Sequence, residues 1–303
     1  MTYQFTFKDC LDRAERIHWR VDELIGPDKR LNFTLPFMPE ALARTEAMDF
    51  LTASERLTLN QIRGHAYLAI FGLVEEFILP FLLDNARPAI AGESYRSRAM
   101  LEFAAEEAKH IHLFRTFREA FAEGFATPCE VIGPPEAIAA HVLSHRPLAV
   151  ALLILHIEWM TQKHFTESIH GAADIDPRFK DLLLHHWMEE QQHAQLDTLL
   201  VQELAGASSK ADIDAAFEDY AKLGAFLDEG LKQQATLDLA ALERACGRVL
   251  GEADRDRFMT HQHQANRWTY IGSGLTHPRF LETVERLKPD AVAGIRAMAE
   301  AFA

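Results

Sequence analysis

Apolar residues recur at three- and four-residue spacing along most of this chain, and the strict alternation typical of β-strands is nearly absent. Patterning at the helical period predicts an all-α fold. Gly26 and Pro27 suit a helix end, whereas Ser54 and Pro177 suit helix starts. The predicted helices are a first helix over 7–25, a short one over 39–48, and four long ones over 54–83, 94–125, 147–170 and 177–205.

The last third of the chain has the same helical pattern. Residues 206–209 (Gly-Ala-Ser-Ser) mark a boundary, and further helices are predicted over 211–247, 252–268 and 278–302. No long linker precedes them. We therefore predict a single domain over 1–303, in which a four-helix bundle core at 54–205 carries the C-terminal helices of 211–303 packed against it.

Composition narrows the class of protein. The 303 residues are 48% apolar, enough for a large core, and their formal net charge is −14. An acidic chain is a poor match for nucleic acid or an anionic membrane, so we expect neither partner and predict a soluble cytoplasmic protein. The first residues are charged and lack an apolar signal segment, and the longest apolar run, 147–157, is too short to span a bilayer. Cys10, Cys129 and Cys246 lack the spacing of a thiolate metal site or a disulfide framework.

Two Glu-x-x-His tetrads are the most informative motifs in the chain: Glu107-Ala-Lys-His110 and Glu190-Gln-Gln-His193. About one helix before each tetrad, a carboxylate interrupts an apolar run, at Glu76 and at Glu158. One Glu from each of two helices and one Glu-x-x-His from each of two others form the ligand set of dinuclear ferritin-like bundles. Any one of these residues could be an ordinary surface group, but all six occur in the required order on four predicted helices.

Helical wheels, at about 100° per residue, indicate which side chains point inward. On the first long helix, Arg56, Asn60 and Arg63 define a polar side, and Glu76 lies nearly opposite them. Its neighbour Glu75 is about 100° away. We therefore predict Glu76 as the ligand and Glu75 as a flanking or outer carboxylate.

On the fourth long helix, His186, Glu190, His193 and Asp197 share a sector of about 60°. A buried carboxylate costs several kcal/mol unless it is paired or bound to metal, so this inward polar stripe favours a cation. Asp197 is a candidate hydrogen-bond partner for a metal-bound histidine; an ordinary surface acid is an equally good interpretation.

Carboxylates and imidazoles suit iron or manganese. Glu107 and Glu190 could each bridge two ions, Glu76 and Glu158 could bind at the ends, and His110 and His193 could each give one nitrogen. We predict two iron ions, with mixed manganese and iron also compatible with these ligands. No catalytic residue beyond the ligands and no organic-cofactor motif is evident, so electrons should come from a separate ferredoxin or reductase, or from the substrate.

These motifs resemble those of the ferritin-like diiron oxygenases. His186, four residues before Glu190, makes the chain similar to the p-aminobenzoate N-oxygenase family, in which an additional histidine is a seventh ligand. That resemblance covers about 54–205. It implies a ligand set of seven residues, a homodimer, and oxidation of aromatic amines through a persistent peroxo intermediate. The implied ligands are Glu76, Glu107, His110, Glu158, His186, Glu190 and His193.

The leading functional hypothesis is therefore an O2-dependent non-haem diiron oxygenase of a small organic substrate, with amine N-oxygenation as the favoured subtype. Hydroxylation or desaturation of an acyl chain is the first alternative, and a ferritin-like protein that stores iron or removes peroxide is the second. A metal-free helical interaction protein also fits the composition, but it leaves seven inward polar groups unexplained.

Overall fold

The computed structural model describes residues 5–92 and 94–303. Within them the chain forms α-helices and connecting turns, with an isolated bridge between Gly26 and Lys29 and no strand. The predicted all-α fold is therefore confirmed. In chain order the helices are α1 (Phe7–Ala14), α2 (Val21–Leu24), α3 (Glu40–Ala43), α4 (Ala53–Ala86), α5 (Ser94–Gly124), α6 (Pro135–Leu143), α7 (Pro147–His164), α8 (Pro177–Gly206), α9 (Lys210–Cys246), α10 (Glu252–Arg267), α11 (Ser273–Leu275), α12 (Pro278–Leu287) and α13 (Ala291–Phe302).

The four long helices α4, α5, α7 and α8 form the bundle. α4 packs along α5, α7 packs along α8, and α5 also contacts α8. The starts follow capping rules: the Thr52 side chain accepts from the Glu55 amide in a capping box, and Asp176 accepts from the Phe179 amide ahead of Pro177. These caps fix where α4 and α8 begin, and so fix the register of the acidic and histidine positions farther along each helix.

The predicted first helix, 7–25, is wrong as a single element. It is divided into α1 and α2, and Arg20 between them has an extended backbone with φ −131° and ψ 147°. The break places Trp19, which is 7% exposed, against the bundle, with its ring stacked on that of His110. Burial of this large aromatic side chain favours the bent path over a continuous helix.

The C-terminal helices lie directly on the bundle. α9 contacts α4, α7 and α10, while α11 and α12 contact α7. A second cluster of buried side chains joins α4 to α9 and α10 through Leu59, Ile62, Leu242 and Phe258. This packing buries apolar side chains in the N-terminal half of α4.

α4 is also long and apolar enough to cross a membrane by length and composition alone. Most of its side chains are buried inside this structure, as expected of the central helix of a bundle. A short π-helical turn, Phe165–Ile169, follows α7, and a second, Trp268–Gly272, joins α10 to α11.

Candidate metal centre

Carboxylates and imidazoles from all four bundle helices meet in the interior. α4 provides Glu75, α5 provides Glu107 and His110, α7 provides Glu158, and α8 provides three residues. Each of these side chains is 3% exposed or less. The three contributed by α8 are His186, Glu190 and His193.

The predicted orientation of α4 is wrong, because Glu75 and not Glu76 points into this cluster. Glu75 is 3% exposed, while the Glu76 side chain is 28% exposed and forms an ion pair with Arg115. The wheel prediction treats Arg56, Asn60 and Arg63 as the outward side of α4, but two of these three residues are buried. Asn60 accepts hydrogen bonds from the Phe37 and Met38 amides, and Arg63 donates to the Leu42 carbonyl, so both are buried against the N-terminal segment.

The first group of donors comprises Glu75, His110, His186 and Glu190, with one ligand atom from each within 4.8 Å of all the others. His186 Nε2 lies 3.1 Å from Glu75 Oε1 and 2.8 Å from Glu190 Oε1. His110 Nδ1 lies 3.1 Å from the same Glu190 oxygen. His186 thus lies among the other candidate ligands, and its role as a ligand stays a prediction.

The second group comprises Glu107, His110, Glu190 and His193, again within 4.8 Å. His193 Nδ1 is 3.0 Å from Glu107 Oε1 and 3.3 Å from Glu190 Oε2. Glu190 therefore directs one oxygen to each group, so it could give one donor atom to an ion in each. Glu158 belongs to the same edge, because it and Glu190 act on each other's pKa.

The far side of each imidazole is held by a carboxylate that the sequence analysis missed. His110 Nε2 lies 2.8 Å from Glu189 Oε2, and His193 Nε2 lies 2.7 Å from Glu106 Oε2. A carboxylate in this place orients the ring and makes its other nitrogen a better ligand. With Nε2 donating, both histidines present Nδ1 to the cluster.

A sequence signal for these partners does exist. Each tetrad is preceded by a second glutamate, giving Glu-Glu-x-x-His twice, at Glu106 and at Glu189. Each of these glutamates binds the histidine of the other tetrad. The Glu-Glu pair at the start of both tetrads could have indicated that each extra glutamate binds the histidine of the other tetrad.

The electrostatics of the cluster show an excess of negative charge. Burial raises the pKa of Glu75 well above its usual value, and the charges of Glu107 and Glu190 raise it further. Burial and Glu190 raise the pKa of Glu158 in the same way. Burial alone would lower the pKa of His110, but the neighbouring carboxylates outweigh it and raise that pKa to about 9. Protons or cations are needed to balance these carboxylates.

The donor set fits metal ions. Several buried atoms facing the cluster have no well-aligned hydrogen bond among the described residues: Glu75 Oε2, both oxygens of Glu107, Glu158 Oε2 and His110 Nδ1. Unpaired buried carboxylates are costly, and binding a dication satisfies them. Oxygen and imidazole nitrogen donors without thiolate suit iron and manganese.

Asp197, predicted as a hydrogen-bond partner of a ligand, lies one turn beyond His193 and is fully buried. Neither of its oxygens has a hydrogen-bond partner among the described residues. Burial raises its pKa well above the usual value, and the nearby charge of His193 opposes that rise. The surface-acid interpretation is therefore wrong, while its role towards the ligands stays a prediction.

One cavity lies beside the cluster, and a second cavity adjoins the first. One of about 550 Å³, between α4 and α5, has Gly72, Phe114, Arg115 and Arg118 in its wall. The Phe114 ring separates it from His186, at 5.0 Å between ring centroids. The other, of about 380 Å³, is almost entirely apolar and shares Leu73 with the first.

No protein-family profile matches the chain, and no curated protein matches it either. Several solved structures are similar. A point mutant of an R2-like ligand-binding oxidase with anaerobically reconstituted Mn/Fe cofactor is 13% identical, covers 89% of this chain and 94% of its own, and has a TM-score of 0.46. A second such mutant is 12% identical, with coverages of 89% and 93% and a TM-score of 0.47. A mutant with aerobically reconstituted Fe/Fe cofactor is 12% identical, with coverages of 89% and 94% and a TM-score of 0.45.

Proposed function

We propose that this protein is an O2-dependent non-haem oxygenase that holds two iron ions, or one manganese and one iron, and oxidises a small organic substrate. The observation that carries the proposal is the pair of buried donor groups that share His110 and Glu190. Two ions held side by side can together supply two electrons to O2, and the protein contributes binding, orientation and a dry pocket.

The proposed ligands are the seven buried residues of the cluster, with Glu75 in the place first assigned to Glu76. His110, His186 and Glu75 would hold one ion, and His193 with Glu107 the other. Glu190 would bridge them, and Glu158 would complete the edge. Glu106 and Glu189 keep a proton on the far nitrogens of His193 and His110, so that the Nδ1 lone pairs face the ions.

Amine N-oxygenation is the subtype that we favour. His186 supports it, because the p-aminobenzoate N-oxygenase family has an additional histidine ligand. His186 would be that third imidazole, since it lies in one donor group with Glu75, His110 and Glu190. The cavity behind Phe114 is large enough for a small aromatic molecule, since ligand pockets start at about 300 Å³. The substrate would enter beside Arg115 and Arg118, while Phe114 and Phe71 exclude water from His186.

Oxidation of a C–H bond in an acyl chain is the second candidate, and one observation favours it. The apolar cavity and the arginine-lined cavity share Leu73, Ile132 and Gly133 in their walls. A long apolar chain extending from the arginines into the apolar cavity would use both spaces, whereas a compact amine would use only one.

A metal analysis followed by a single-turnover assay tests the proposal. The protein is loaded anaerobically with Fe(II), desalted and analysed for iron, then mixed with O2 and either arylamines or fatty acyl substrates. We expect about two iron ions per chain, fast O2 consumption, and oxidised amine as product. Product from the acyl series alone would favour the second candidate, and failure to bind iron would refute both.

An external electron donor, a ferredoxin or reductase, and a homodimeric state belong to the same proposal. Large apolar side chains are exposed near the connection between α4 and α5, at Leu83, Ile90 and Leu101. Apolar exposure of this kind often marks a protein contact. Size-exclusion chromatography with light scattering measures the oligomeric state directly, and a monomer would refute the dimer.

A further inference from the structure

A buried hydrogen-bonded chain, Tyr67–His164–Ser273, lies beside the cluster and has no part in holding the metal. Tyr67 Oη is 2.9 Å from His164 Nδ1, and His164 Nε2 is 2.9 Å from Ser273 Oγ. Ser273 Oγ in turn donates to the Thr269 carbonyl at 3.0 Å. The three side chains come from α4, α7 and α11, and each is 3% exposed or less.

The far end of this chain favours one direction for its protons. The Ser273 hydroxyl gives its hydrogen to a carbonyl oxygen, which can only accept, so its oxygen is free to accept from His164. His164 is therefore protonated on Nε2, and its Nδ1 lone pair accepts the Tyr67 hydroxyl hydrogen. Burial lowers the pKa of His164 to about 3, which keeps the ring neutral at rest and its Nδ1 open.

Tyr67 is also close to the candidate metal centre. Its ring centroid is 4.5 Å from that of Phe71, and the Phe71 ring is 5.6 Å from that of His186. The charge of Glu190 acts on the Tyr67 hydroxyl. One aromatic side chain thus lies between the phenol and a proposed ligand.

We propose that Tyr67 is a one-electron donor to the O2-oxidised metal centre, with His164 as the acceptor of its proton. In this step one electron leaves the phenol for the oxidised centre, the O–H bond breaks, and the proton forms an N–H bond at His164 Nδ1. The products are a neutral tyrosyl radical, an imidazolium, and a centre reduced by one electron. The step serves turnovers in which no substrate occupies the pocket, and it rests on the proposed function.

Trp19 is another oxidisable ring beside a proposed ligand, and its surroundings oppose the same role. Its ring is stacked on His110, but the Lys109 ammonium lies 4.1 Å over the ring, so a positive radical there would be repelled. Its Nε1 hydrogen has no acceptor among the described residues. Of these two rings, Tyr67 is the one that combines nearness to the cluster with a base that is already hydrogen-bonded.

The test is rapid freeze-quench electron paramagnetic resonance on the full chain, loaded anaerobically with Fe(II) and mixed with O2 without substrate. We expect a radical signal whose splitting changes when the tyrosines carry ring deuterium. Tyr67→Phe should abolish the signal, whereas Trp19→Phe and Tyr270→Phe, which alter neighbouring rings, should retain it. His164→Asn keeps an acceptor but cannot hold the proton, so it should sharply lower the radical yield.

Iron content and O2 uptake, measured on the same samples, separate this inference from the proposed function. Wild-type protein that binds iron and consumes O2 without a tyrosyl signal would overturn the role of Tyr67 and leave the oxygenase proposal intact. A signal that persists in Tyr67→Phe would do the same. Wild-type protein that binds no iron would overturn both proposals.

Discussion

Glu75 and Glu76 are adjacent glutamates with opposite surroundings, and this difference gives a matched pair of variants. Glu75→Gln keeps the shape of the side chain but removes a donor charge from the group of His110, His186 and Glu190. We expect it to weaken one ion site, so that anaerobic Fe(II) titration gives about one tight site per chain where the wild type gives two. Glu76→Gln should retain both, because Glu76 pairs with Arg115 at the surface. Equal losses from the two variants would contradict this assignment.

Glu106 and Glu189 act through the histidines that they hold. Replacing either by Gln removes the charge behind His193 or His110 while keeping a hydrogen-bond acceptor. Removal of such a partner costs about 10–100-fold in metal affinity. We expect that loss for each variant in competition with a chelator. Glu102→Gln, at an exposed position one turn earlier on α5, is the control and should leave the affinity unchanged.

At the level of single residues, sequence spacing could predict which helices provide donors, but not every orientation. The two tetrads are specific because i and i+3 positions must share a helix face. A lone Glu beside another Glu has no such internal reference. The direction predicted for Glu76 depended on Asn60 and Arg63 being on the outward side. Both residues are buried instead, and they hydrogen-bond to the backbone of Phe37 and Leu42. Such tertiary partners are invisible in a single sequence.

At the level of elements, capping residues and helical periodicity predicted the four bundle helices well. α4 and α8 begin within two residues of the predicted starts, because Thr52, Asp176 and Pro177 act locally. The division of the first helix at Trp19 was not predictable in this way, since it depends on the contact of that ring with His110. Local signals fix helix ends, whereas a long-range contact fixed this bend.

The contact of α11 with α7 is tight enough to test by adding one methyl group. Gly274 lies against His156, so that a Cβ atom there would overlap the imidazole and lie 2.9 Å from the His156 carbonyl oxygen. The same ring lies 2.9 Å from the Ile271 carbonyl and accepts from Tyr220. We expect Gly274→Ala to lower the free energy of unfolding by about 1–3 kcal/mol in urea titrations.

Gly224→Ala is the matched control for this overlap. It adds the same methyl group to α9, where nothing lies within 4 Å of the new carbon. Removal of a glycine from a helix interior should stabilise the protein by about 0.5–1 kcal/mol. If both alanine variants shift the urea midpoint in the same direction, α11 does not pack on α7 as described.

At the level of the whole molecule, the bundle builds a site that is unfavourable without positive charge. Four carboxylates and three imidazoles meet where water is excluded, and an ionised carboxylate in such surroundings costs several kcal/mol unless it is compensated. Holding these donors together therefore lowers the stability of the metal-free protein. The C-terminal helices on α4 and α7 add apolar contacts that help to offset this cost.

This balance predicts opposite pH trends for the metal-free and metal-loaded proteins. In the folded, metal-free state burial lowers the pKa of His110, yet its carboxylate partners raise it to about 9 from the ordinary 6.5. Burial and neighbouring charge also raise the pKa of Glu75 and Glu158. A group whose pKa is raised on folding stabilises the fold below its unfolded pKa, and that contribution is lost as the pH rises through the folded pKa. The free energy of unfolding of the metal-free protein should therefore fall between pH 6.5 and about 9.

A bound dication replaces these protons, so it should restore most stability where the metal-free protein has lost it. Saturation at a hundredfold excess over Kd adds about 2.7 kcal/mol per site, and affinity itself rises with pH as the ligands lose their protons. Urea unfolding with Mn(II) or with EDTA, at pH 6.5 and at pH 8.5, measures both trends, and Mn(II) avoids oxidation by air. The gap between the two conditions should be wider at pH 8.5 and should shrink in Glu75→Gln. A gap that is absent at both pH values, or that narrows as the pH rises, would mean that the cluster is a buried proton-sharing network and not a metal site.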